Sequence, residues 1–69
     1  MKALRDAEAT RRRLIDAARV EFAEHGIAGA RVDRIAADAQ ANKAQIYHYF
    51  GNKDRLFDAM WQSTARQIL

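Results

Sequence analysis

The chain reads as an all-α protein, a small helical bundle, on three observations. Its 69 residues include no proline and only three glycines, so few positions interrupt a helix. Alanine, the residue that favours helix most, is abundant throughout. No segment alternates apolar and polar residues with the period of two that a half-buried strand requires; apolar residues recur at intervals of three and four instead. At this length a single core stabilises a fold by only roughly 3–5 kcal/mol, so one domain is expected.

Thr10 suits an N-cap, and after it Leu14, Ala18 and Phe22 recur at i, i+4 and i+8, with Ile15 and Ala17 widening the stripe. The spacing predicts a first helix from Thr10 to about His25, closed by Gly26 as its C′ residue. Residues 1–9 are left ahead of it as a basic N-terminal arm. After the loop GIAGA, the spacing of Val32, Ile35, Ala36 and Ala39 places them on one side of a short second helix. Asn42 is a preferred N-cap for a third, two-turn helix whose Ile46, Tyr49 and Phe50 continue the apolar spacing to Gly51. Asn52 can cap a fourth. On that helix Leu56, Phe57, Met60, Trp61, Thr64, Ile68 and Leu69 form a stripe too wide for three short neighbours, the start of a longer helix that wants another partner. Two short helices joined by about three residues form the pattern of a helix-turn-helix, here over residues 31–50.

Charge and composition exclude several function classes. The net charge of +3 and pI near 9.8 rest on nine arginines and three lysines, a surplus that fits a polyanionic partner. Cysteine is absent, which removes disulfides and thiolate metal sites. No stretch approaches the roughly 20 apolar residues of a membrane span, and MKALRDAEATRRR lacks the apolar run of a signal peptide, so a soluble, cytoplasmic protein is expected. An enzyme is not expected: Ser63, Thr10 and Thr64 have no histidine at a suggestive spacing, and the only histidine besides His48, His25, falls at the far end of the first helix, so no metal or cofactor is implied.

Several residues have both a structural and a functional reading. Lys43 and Gln45 fall in the first turn of the third helix, where base edges are reached, and a glutamine can bond two-fold to adenine. Gln45 also stands three residues after Asn42, where it can close a capping box and contact no base. Ala44 offers a methyl to a thymine methyl, or helix propensity alone. Tyr47 and Tyr49 combine an apolar ring with a hydroxyl that suits a phosphate, Tyr47 being displaced from the Ile46–Phe50 face and hence the wetter of the two. His48 is either a phosphate contact or a solvated residue. Lys53, a cation at a helix beginning, runs against the helix dipole and so suggests an external anion, and Arg31 at the second helix start follows the same argument. Arg11, Arg12 and Arg13 could form a phosphate- or minor-groove-facing arm, but a charge run is most often a solvated face.

The order Gly26-Ile27, Val32-Asp33-Arg34-Ile35-Ala36, Ala39, Ile46-Tyr47-His48-Tyr49-Phe50, Lys53 and Leu56-Phe57 resembles the DNA-binding domain of the tetracycline-repressor (TetR) family of transcriptional regulators, over about Arg13 to Met60. The resemblance implies a homeodomain-like helix-turn-helix domain over residues 10–69, with the third helix in the major groove of an operator. It implies Lys43, Gln45 and Ala44 at bases, and Tyr47, His48, Tyr49, Lys53 and Arg31 at the backbone. It further implies palindromic half-sites on double-stranded DNA, a homodimer formed through a C-terminal domain that this chain lacks, a small-molecule effector if the native protein is longer, repression as the mode of action, and a nucleoid-associated, cytoplasmic place. The chain departs from the family pattern at Gln40, Ala41 and Asn42, where glycine, valine and serine are usual, at Ala44 for glycine, and at Arg31 for a capping threonine or serine. A positive φ at Gln40 would strain the turn by on the order of 1–2 kcal/mol. The rival from another class is a helical protein-interaction module using Trp61 and its neighbours.

Overall fold

The computed structural model describes residues 2–68. Four helices follow in order: α1 (Lys2–Gly29), α2 (Val32–Asp38), α3 (Lys43–Phe50) and α4 (Lys53–Ile68). No strand occurs among the described residues. α1 packs against α4 and α2, α2 against α3, and α3 against α4, so the helices close on one another. Each contributes one fully buried side chain to the centre: Leu14, Ile35, Ile46 and Leu56. Phe22 and Phe50 complete the expected core, and Phe22 meets Phe57 edge to face at 4.9 Å. Ile68 and Leu69, expected on the α4 stripe, lie outside the residues whose side chains are described.

The start of α1 differs from expectation. Helix begins at Lys2, so residues 2–9 form its first turns and Thr10 is no cap. Thr10 is instead buried, and its hydroxyl accepts from Arg13 Nη2 at 3.3 Å. The run from Ala3 to Ala9 contains only non-breaking residues, so propensity carries the helix back past both Thr10 and Asp6, the other residue there that suits a cap. At the other end Gly26 takes φ 70° and ψ 172°, open to glycine and hostile to other residues, and one more turn follows before Ala30. The Ala30 N–H donates to Gly26 O at 3.0 Å across that kink.

The turn between α2 and α3 sets the angle at which α3 leaves the bundle. Gln40 N–H donates to Ala37 O at 3.1 Å and Ala41 N–H to Ala36 O at 2.8 Å, the paired bonds of a Schellman ending. The C′ position of that ending is left-handed, and Gln40 occupies it at φ 56°. Glycine there would remove about 1–2 kcal/mol of strain against its own larger loss of backbone freedom, about 0.5–1 kcal/mol. Gln40→Gly is therefore expected to stabilise the chain by about 0.5–1 kcal/mol, read from the urea midpoint; a lower midpoint would mean that the glutamine side chain holds the turn.

Candidate nucleic-acid interface

α3 is anchored on one side and bare on the other. Ile46 and Phe50, four apart, are 0% and 8% exposed, while Lys43, Ala44, Tyr47 and His48 face solvent and Gln45 is half-buried. Tyr47 is the wetter tyrosine, at 46% exposure; Tyr49 packs against the core and stacks edge to face with His48 at 5.1 Å. The helix starts in a full capping box: Gln45 N–H donates to Asn42 Oδ1 at 2.9 Å, and Asn42 N–H donates to Gln45 Oε1 at 3.0 Å. Gln45 thus has the geometry of the structural alternative, which leaves only part of its side chain for any other task.

Lys53 has internal partners. Its Nζ donates to Ala30 O at 3.2 Å and lies 3.5 Å from Ala28 O, so the ammonium closes the last turn of α1. A lysine has three donors, and the contact sets Lys53 against the carbonyl of Ala30, the residue before Arg31. Arg31 also reaches Asp33 Oδ2 at 3.5 Å, with both side chains more than half exposed. The Arg31 guanidinium, together with Asp33's own backbone N–H, holds the Asp33 carboxyl below the usual carboxylate range. An exposed pair of this length is worth little and can exchange its carboxylate for another anion. At the start of α4, Asn52 Oδ1 accepts from Arg55 N–H at 2.8 Å, the expected cap.

Three residues that position the interface escape a reading of functional types. Arg31 cannot cap α2 with its side chain, and Glu21 of α1 takes over: its Oε2 accepts the Arg31 backbone N–H at 3.1 Å. The same carboxylate accepts from Arg34 Nε at 2.8 and 3.0 Å and pairs with Arg34 Nη2 at 2.7 Å. Glu21 is only 3% exposed, and Arg34's hydrogen bonds hold its pKa below the ordinary 4.5 in spite of burial, helped by the Arg31 N–H and by the charges of Arg34 and His25. Arg13, one of the basic cluster, donates from Nε to Ala39 O at 3.0 Å and so ties α1 to the turn before α3. Its neighbour Arg11 lies 5.3 Å from the centre of the Phe50 ring. Neither arginine behaves as a free arm. Glu21 did carry a signal, since it stands seven residues after Leu14 on the apolar stripe, where a carboxylate must be satisfied by something.

Residues 14–60 match the family described as bacterial regulatory proteins, tetR family. The chain belongs to the tetR family. Among curated tetR-like relatives, the HTH-type transcriptional repressor SCO4008 of Streptomyces coelicolor is 66% identical over 55 residues, covering 80% of this chain and 29% of that repressor. The probable acrEF/envCD operon repressor of Escherichia coli K12 is 36% identical over 66 residues, covering 93% of this chain and 30% of that protein. The crystal structure of SCO4942 from Streptomyces coelicolor superposes with a TM-score of 0.73 at 53% identity, over 74% of this chain and 28% of that one. The chain thus spans about a third or less of the tetR-family proteins it matches. No described helix is long and apolar enough to cross a membrane. Trp61, 55% exposed and edge to face with Phe57 at 6.1 Å, is the large apolar side chain left open on α4 among the described residues.

Proposed function

We propose that the chain is the operator-reading head of a transcriptional repressor, and that it docks α3 in the major groove of double-stranded DNA. The observation that carries this is the two-sidedness of α3: Ile46 and Phe50 fix it in the core while Lys43, Ala44, Tyr47 and His48 stand clear. In this reading Lys43, Gln45 and Ala44 meet base edges, and Tyr47, His48, Tyr49, Lys53 and Arg31 meet the phosphate backbone. Lys53 and Arg31 then meet phosphates from the starts of α4 and α2. Because one small module buries limited surface, two heads on palindromic half-sites about one helical turn apart, or a multiple of it, supply the affinity. The homodimer is held by a further domain of a longer native protein, which also carries any small-molecule effector. Its place is the cytoplasm, at the nucleoid. Relatives named as repressors favour this over a peptide-docking role for Trp61.

Salt tests it. Duplex affinity should fall steeply with added salt as counterions return to the phosphates, and Lys53→Ala should lower the logarithmic slope by about one. Thermal unfolding of the variant, followed in parallel, separates a lost phosphate contact from a lost brace on Ala30. Duplex binding that ignores salt, or none on a random pool, would refute the proposal.

A further inference from the structure

The capping box commits one side of Gln45 before any DNA arrives. Its Oε1 faces the Asn42 backbone N–H at 3.0 Å, and the box is closed by Gln45 N–H on Asn42 Oδ1 at 2.9 Å. A carboxamide is flat and holds its oxygen and nitrogen on opposite sides of one carbon. With Oε1 turned back on the start of its own helix, Nε2 is directed the other way. No hydrogen bond within the described residues takes up its two N–H groups. A two-point contact with adenine needs both ends of the amide on one base edge, the oxygen accepting from N6 and the nitrogen donating to N7. The box takes one of the two lone pairs of Oε1 and sets the amide's orientation against that contact. Beside Gln45, exposed Lys43 brings three more donors and Ala44 a methyl.

We infer that the opening turn of α3 is a donor-only reader, and that Gln45 specifies guanine, through Nε2–H to O6, with or without N7, rather than adenine. This rests on the DNA-binding reading above. Guanine is the base whose major-groove edge offers two acceptors and no donor, so it matches a turn that presents Nε2 and an ammonium. Asn42 becomes a positioning residue, since the bond from its N–H sets which end of the amide points outward.

The test begins with duplexes selected by the protein from a random pool and compares them with those selected by Gln45→Glu. Glutamate at the third helical position keeps an oxygen for the Asn42 N–H, so the box and the melting temperature should persist while the outward donors become an acceptor. At one position of each half-site guanine should give way to cytosine, whose N4 amino group donates, and affinity for the original guanine should drop about tenfold. A second arm needs no variant. Replacing that guanine by 2-aminopurine, which removes O6, should weaken wild-type binding; a loss seen only with 7-deazaguanine, which removes the N7 that adenine also has, would overturn the inference. A wild-type preference for adenine there, weakened when its N6 amino group is deleted, would mean that the box opens on DNA and would overturn the inference. Unchanged base preference in Gln45→Glu, with duplex affinity intact, would overturn it too and leave the DNA-binding reading standing. Failure of the wild type to bind any duplex would remove both.

Discussion

Ile46→Ala is expected to leave the chain largely unfolded, with duplex binding lost on every sequence alike. Ile46 is fully buried and anchors a helix of only 8 residues, too short to persist without its packing. Truncating a buried isoleucine to alanine costs about 2–5 kcal/mol, through lost transfer energy and the cavity left behind. A domain of this size has roughly 3–5 kcal/mol in total, so the variant loses most of its margin. Far-UV circular dichroism through a thermal ramp would show a weak or absent cooperative transition. Ile46→Val, which removes one methylene at about 0.5–1.5 kcal/mol, should still fold and bind with a lowered midpoint. If Ile46→Ala kept a cooperative transition within about 1 kcal/mol of wild type, α3 would be held by something other than its buried stripe, and the two-sided helix would lose its meaning.

What could be seen in the sequence follows from what a one-dimensional pattern encodes. Periodicity reports which side of a helix is buried, so Leu14, Ile35, Ile46 and Leu56 were all legible, as were the stop at Gly51 and the caps at Asn42 and Asn52; Gly26 marks a kink, not the end of α1, which runs on to Gly29. The strained turn was legible as well, because Gln40 stands where left-handed backbone is needed and φ is 56°. The beginning of α1 was not, because residues 2–9 carry no breaker, the helix runs through Asp6 as well as Thr10, and Thr10 turns inward. Nor were the tertiary ties. Arg34 to Glu21, Lys53 to Ala30 and Arg13 to Ala39 join groups 13, 23 and 26 residues apart, and each depends on how two helices cross. A pattern within one helix has no information on that crossing. The consequence is specific: residue types suggested Lys53 and Arg13 as free cations, whereas both close carbonyls at helix ends.

Glu21→Gln should be the polar substitution with the largest cost, and its cost should vanish in acid. The carboxylate accepts from Arg34 and from the Arg31 backbone N–H, so it fastens α1 to α2 and caps α2 where Arg31 cannot. Glutamine keeps one acceptor but sets an amide NH2 against a guanidinium, leaving donors facing donors. Hydrogen bonds to charged groups contribute about 1.5–3 kcal/mol, a large share of this domain's stability. The pH dependence has a definite sign. Arg34's hydrogen bonds lower the folded pKa of Glu21 beneath its ordinary value of 4.5. The folded state therefore holds its proton more weakly than the unfolded chain. The stability this contributes is complete above about pH 4.5 and disappears as pH falls through the depressed folded value. Asp33, whose pKa is also lowered, is present in both proteins and cancels in the difference between them. Urea midpoints of wild type and Glu21→Gln should thus be well separated at neutral pH and converge below the ordinary glutamate pKa. Midpoints that stay parallel into acid would mean that Glu21 acts by shape alone, and the attachment of α2 would have to come from Ile35 and Ala36 in the core.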